Sequence, residues 1–156
     1  MKQALFTMCM LVSATFISLS QNHETKDNLS VDTGFVLVDG GRLFYESAGE
    51  GENIVLLHDG MVNREIWDEQ FPLLAKTFRV VRYDRRGYGK SSDPEMKYSH
   101  IEDLNQLFIQ LNIDKAIIFG MSSGGRLAID FTLTYPEKVK GLVLVGAFVS
   151  GFGYTS

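Results

Sequence analysis

Gly120-Met121-Ser122-Ser123-Gly124 lies between an apolar run, Ala116 to Phe119, and a helix-like stretch, Arg126 to Tyr135. A G-x-S-x-G in this strand–turn–helix setting would lift the Ser122 hydroxyl out of a tight turn as a nucleophile. The corresponding chemistry is acyl transfer through a covalent serine intermediate. Gly120 and Gly124 suit a turn in which side chains would clash, and the following helix directs its positive end at a developing oxyanion. At ordinary Gly and Ser frequencies the pattern is expected by chance only about 0.05 times in a chain this long. The plainer alternative is a glycine-rich β–α turn gripping phosphate.

Two further segments occupy the same kind of position, just after a predicted strand, where open α/β sheets place their sites. His58-Asp59-Gly60 follows the run Ile54 to Leu57. His58 is not assigned as a base; it is expected to brace its loop, while the Gly60 N–H joins that of Ser123 in facing an oxyanion. A simple polar turn is the alternative. Tyr83 to Ser91, with Asp84-Arg85-Arg86-Gly87-Tyr88-Gly89-Lys90 inside it, reads as a glycine-rich anion loop or a charged surface turn. Its spacing demands no catalysis.

The elements that must hold these loops alternate. Phe35 to Val38 and Arg42 to Glu46 flank Asp39-Gly40-Gly41 as a hairpin. Ile54 to Leu57 reads as a strand buried on both faces. Trp67, Phe71, Leu74 and Phe78 recur at helical spacing and predict one amphipathic helix. Arg79 to Tyr83 is a strand. Ile101, Leu104, Leu107, Phe108 and Leu111 form a second helical stripe, and Ala116 to Phe119 is the strand before Ser122. Pro136 closes the helix that follows, and Gly141 to Val145 is a last strand of buried type. A hairpin followed by repeated β–α alternation implies a largely parallel α/β sheet.

With 156 residues, 45% of them hydrophobic and 22% charged, the chain is globular and long enough for one domain. A net charge of −4 without a basic stripe excludes nucleic acid as a partner of choice. Lys2, the apolar stretch Ala4 to Leu19 and the small residues Ser18-Leu19-Ser20 read as a secretory signal peptide (residues 1–20) cleaved after Ser20. The run is shorter than the roughly 20 residues a span needs, so no stable membrane span is expected. The product would be secreted or periplasmic, with residues 21–33 a disordered mature N-terminus and 34–156 the folded domain. The only cysteine, Cys9, falls inside the leader, so no disulfide or Cys-based metal site is expected.

Taken together, the His58-Asp59-Gly60 segment, the Asp84 to Ser91 loop and Gly120 to Gly124 resemble the α/β-hydrolase superfamily in order and spacing. Gly141-Leu142-Val143-Leu144-Val145-Gly146-Ala147 resembles its sixth strand. The resemblance runs from about Gly34 to Ala147 and implies an α/β-hydrolase fold. It implies Ser122 as nucleophile, with the N–H groups of Gly60 and Ser123 as oxyanion hole. His58, Asp59, Met61, Met121, Gly120 and Gly124 would support the site. The substrate class implied is a small-molecule ester or similar carbonyl compound, with water as second substrate and neither metal nor organic cofactor. Asp59 replaces the glycine of the commoner His-Gly-x. Serine at the nucleophile position argues against the haloalkane-dehalogenase branch, and the absence of a His-Gly-Gly-Pro-Gly loop argues against the proline iminopeptidases.

In this family the acid and the histidine follow the seventh and eighth strands. After Ser122 this sequence offers only Asp130 and Glu137 as acids and no histidine; His100 lies earlier and is not expected to reach Ser122, and His23 is in the N-terminal tail. The expectation is a hydrolase truncated after its sixth strand, inactive as it stands and prone to aggregate along an apolar edge. The alternatives are a non-catalytic ligand-binding derivative of the fold and half of a split hydrolase completed by a C-terminal fragment in trans.

Overall fold

The computed structural model describes residues 29–149. The expected signal peptide, Cys9, His23 and residues 150–156 lie outside them. Strands β1 (Val31–Val38) and β2 (Gly41–Ala48) form the expected hairpin, with Gly40 at φ 67° in the turn. β1 starts at Val31, so the sheet takes in three residues assigned above to the disordered tail; Val31 to Thr33 pair with Ala48 to Glu46. β3 (Asn53–Leu57), β4 (Arg79–Tyr83), β5 (Ala116–Met121) and β6 (Val139–Val145) complete one sheet in the order β1-β2-β4-β3-β5-β6. β2 meets β4 antiparallel, and β4, β3, β5 and β6 are parallel.

β3 shows why the centre holds. Val55 and Leu57 face a cluster with Leu104, Phe108, Ile118 and Phe131, under helices α2 (His100–Gln110) and α3 (Ser123–Thr134). Ile54 and Leu56 face the opposite cluster with Trp67, Phe71 and Val80. A strand covered on both faces needs the unbroken apolar run seen in its sequence.

The expected helix through Trp67 and Phe78 is not one helix. A 3-10 turn, Arg64–Trp67, is followed by a short α1, Gln70–Leu74. Pro72 has no N–H to give the carbonyl of Asp68, so a continuous ladder cannot pass through it. Beginning the helix at Gln70 puts that proline in the first turn, where it is tolerated. Trp67 and Phe71 are buried all the same, with Leu74 and Phe78 packed against their cluster.

β6 also departs from expectation. Its sequence is of buried type, yet Val143, Leu144 and Val145 are 41%, 41% and 48% exposed, because among the described residues β6 pairs only with β5.

Candidate functional site

The chain leaves β3 toward β4 on one side and later toward β5 on the other, so the order of strands reverses at β3. The loops after β3, β4 and β5 therefore open at a topological switch point. They carry His58, Asp84 and Ser122.

Ser122 joins β5 to α3 at φ 49° and ψ −114°, a left-handed conformation that a non-glycine residue holds only when its surroundings force it. The neighbours supply the force. A Cβ on Gly120 would stand 2.6 Å from the Gly125 Cα, and one on Gly124 would stand 2.4 Å from the His58 carbonyl oxygen. Strand, turn and the loop after β3 thus approach backbone to backbone, which only glycine permits. The Ser122 N–H donates to Val145 O at 2.8 Å, and the Arg126 N–H donates to Ser122 O at 3.1 Å. Edge strand and helix both grip the turn. Met121, the last residue of β5, pairs with Val145 and packs against the α1-side cluster.

His58 is wholly buried, with both ring nitrogens engaged. The Arg85 N–H donates to Nε2 at 3.0 Å, which fixes Nε2 as the acceptor and leaves Nδ1 to donate to Asp59 O at 2.7 Å. Burial, and next the Arg85 charge, push the imidazole down to about 4, so it is neutral at pH 7. The ring ties the loop after β3 to the loop after β4. The Tyr88 ring meets it edge-on, and the Tyr88 hydroxyl donates to Gly60 O at 3.0 Å.

The Asp59 carboxylate turns inward on its own loop, accepting the N–H groups of Met61 at 2.6 Å and Val62 at 3.2 Å. That commits the Met61 amide, and the Met61 side chain is 90% exposed. Among the described residues the N–H groups of Gly60 and Ser123 have no backbone acceptor. Gly60 lies against Ser123, whose Oγ would be 3.1 Å from a Cβ there.

The loop after β4 is built around a buried carboxylate. Asp84 accepts from the Arg64 N–H and Nη1 at 3.0 Å each and from the Lys90 N–H at 2.9 Å. Gly89, at φ 52°, is required because a Cβ would fall 2.2 Å from an Asp84 oxygen. Arg86 forks onto Asp103 at 3.0 and 2.7 Å. This segment is a structural hub, the charged-turn alternative in a buried form. Arg85 differs: its Nη2 donates to Asp59 O at 2.6 Å and to Ser123 Oγ at 3.0 Å. Sequence reasoning quoted Arg85 but gave it no role, and only its direction in space distinguishes it from Arg86.

His100 opens α2 and lines a cavity with Gly60, Arg85 and Ser123, its Nε2 3.5 Å from the Tyr98 hydroxyl. Burial, then the charge of Arg85, lowers it to about 4. Asp130 lines the same cavity. Among the described residues no group of three or more His, Cys, Asp or Glu side chains is placed to hold a metal, and no helix is long and apolar enough to cross a membrane.

Residues 52–154 match the family profile described as the alpha/beta hydrolase fold. A 2-hydroxy-6-oxo-6-(2'-aminophenyl)hexa-2,4-dienoic acid hydrolase from Metapseudomonas resinovorans is 32% identical over 72% of this chain and 41% of its own length. A pimeloyl-[acyl-carrier protein] methyl ester esterase from Photobacterium profundum is 34% identical over 67% of this chain and 41% of its own. The chain therefore spans about two fifths of the length of these curated relatives. Among solved structures, wild-type Cfl2 from Burkholderia cenocepacia superposes with a TM-score of 0.76 at 32% identity, over 81% of this chain and 45% of that one.

Proposed function

This chain belongs to the alpha/beta hydrolase family, and on that premise we propose that Ser122 is the nucleophile of a serine hydrolase acting on esters or similar small carbonyl substrates. Ser122 Oγ attacks the carbonyl carbon, and the oxygen that becomes negative is held by the N–H groups of Gly60 and Ser123 at the positive end of α3. Collapse of the tetrahedral adduct breaks the bond to the ester oxygen, which takes up the proton given up by the Ser122 hydroxyl and leaves as the alcohol; the acyl-serine that remains is hydrolysed by water to the acid and free Ser122. His58 takes no part in proton transfer, since both its nitrogens are bound. The acid and histidine that the family resemblance places after two further strands would complete the site, on one polypeptide or in trans. We also infer that residues 1–20 direct secretion; a mature product beginning at Gln21 is the expected mass.

The observation that carries this reading is the strained Ser122 turn, forced by backbone contacts at two glycines. Strain of this kind concentrates at functional sites. The test is labelling with a fluorophosphonate, followed by peptide mapping. Label on Ser122, lost in Ser122→Ala, is expected even without a base, because an oxyanion hole and binding alone can leave about 10³–10⁴-fold acceleration over water. Label spread over several serines at equal rates would overturn the assignment.

A further inference from the structure

Among the described residues four arginines are buried, and three of them are paired. Arg64 meets Asp84 and Glu46, Arg82 meets Glu46 and Asp68, and Arg86 meets Asp103. Arg85, 4% exposed, has no carboxylate within ion-pair distance among the described residues, and its Nε is buried without any partner. Its Nη2 is held by two neutral oxygens, Asp59 O and Ser123 Oγ. A buried cation left this way is destabilising by several kcal/mol in general, so a fold keeps one where something else supplies the counter-charge.

Arg85 lines a cavity of about 400 Å³ whose wall includes Gly60, Tyr88, His100, Ser123 and Arg126. Arg126 is exposed and follows Ser122 by one helical turn. One carboxylate, Asp130, also lines the cavity and offsets one of the two guanidinium charges, which leaves the wall net positive. The His100 imidazole on the same wall is lowered first by burial and then by the charge of Arg85, with Asp103 opposing the smaller effects of Arg86 and Arg126. The cavity touches both residues whose amides would hold the oxyanion.

We propose that this cavity is a carboxylate subsite, in which Arg85 and Arg126 hold a second, anionic group on the acyl part of the substrate while its ester carbonyl lies at Ser122. The inference rests on Ser122 as the nucleophile. The substrate class is then a monoester of a short dicarboxylic acid. A planar carboxylate is the group that a guanidinium, which donates in a fixed fork, holds best.

The test is equilibrium binding to the full chain carrying Ser122→Ala, using monomethyl succinate as the anionic probe and dimethyl succinate as its neutral counterpart. The monoester is expected to bind about tenfold more tightly at low salt, a preference that shrinks as salt rises. Arg85→Gln should abolish the preference, and Arg126→Gln, which leaves the core untouched, should reduce it about two- to threefold. If Arg85→Gln fails to fold, Arg126→Gln and the salt series decide. Equal affinity for the two probes, a preference unchanged by Arg126→Gln, or tighter binding of inorganic phosphate than of the monoester overturns the subsite. Fluorophosphonate labelling of the unmodified chain reads Ser122 separately, so loss of label with the anion preference intact removes the nucleophile and not the cation pair.

Discussion

β3 and β6 each carry a run of four branched apolar residues, Ile54-Val55-Leu56-Leu57 and Leu142-Val143-Leu144-Val145, and have opposite fates. Ile54 to Leu57 are at most 1% exposed, between two strands and under helices on both faces. Val143 to Val145 are more than 40% exposed with one strand beside them. Composition gives both the character of a buried parallel strand, and only sheet position separates them. The difference bears on the site, because the strained turn is held from both sides: the His58 loop leans on Gly124 from β3, while Val145 O holds the Ser122 N–H from β6. One support is sealed in the core and the other is, among the described residues, an edge strand.

The largest effect should come from the sealed side. In Asp84→Ala, Arg64 loses two of its hydrogen bonds to a fully buried carboxylate and keeps its ion pairs with Glu46 and Glu65. Breaking a buried pair in this manner costs about 3–5 kcal/mol. A urea midpoint that barely moves would mean that the hub after β4 does not hold the core. Leu56→Ala should follow at about 3 kcal/mol, whereas Leu144→Ala, on a half-exposed side chain, should cost less than about 1 kcal/mol. Similar losses at the two positions would erase the contrast between the strands.

A pH titration sharpens the comparison from inside the sealed side. His58 sits near 4 in the fold against an ordinary 6.5, and His100 is lowered to a similar value. Both are neutral when folded, and the unfolded chain takes up their protons at the higher pH. Their contribution to stability is complete above pH 6.5 and is lost progressively as the pH falls from 6.5 through 4. Between 6.5 and 5 ordinary carboxylates contribute little, so the decline there belongs to the histidines. His58→Gln should flatten that part of the profile of unfolding midpoint against pH.

Much of this architecture was legible beforehand, and the failures are instructive. The hairpin, the three central strands, α2 and α3 follow from period and turn residues, and the Ser122 turn from two glycines at fixed offsets. Pro72 was in plain view, yet the Trp67–Phe78 spacing reads as helix because two short turns in succession bury the same positions as one long helix. The backbone of the candidate site was legible to this extent, that Gly60 lies against Ser123, the residue after Ser122. Arg85 was not, since nothing in Asp84-Arg85-Arg86 tells which guanidinium meets a carboxylate and which turns toward Ser123. That is settled by Asp103, seventeen residues beyond Arg86 on another element.

The smallest expected effect tests whether the open edge matters to the site as backbone or as side chain. Leu144 pairs with Gly120 in the ladder, and its side chain is 41% exposed. In Leu144→Lys the methylene stem can still lie along the strand while the ammonium stays in water. Stability should change by no more than about 0.5 kcal/mol. Self-association, read by sedimentation, should fall, because a charge on an edge strand opposes pairing with another copy. Fluorophosphonate labelling of Ser122 should keep its rate, since the hold on the turn is a main-chain bond from Val145 O. A slower label with unchanged stability would show the edge side chains shaping the turn, and β6 would then have to be counted as part of the site rather than as its support.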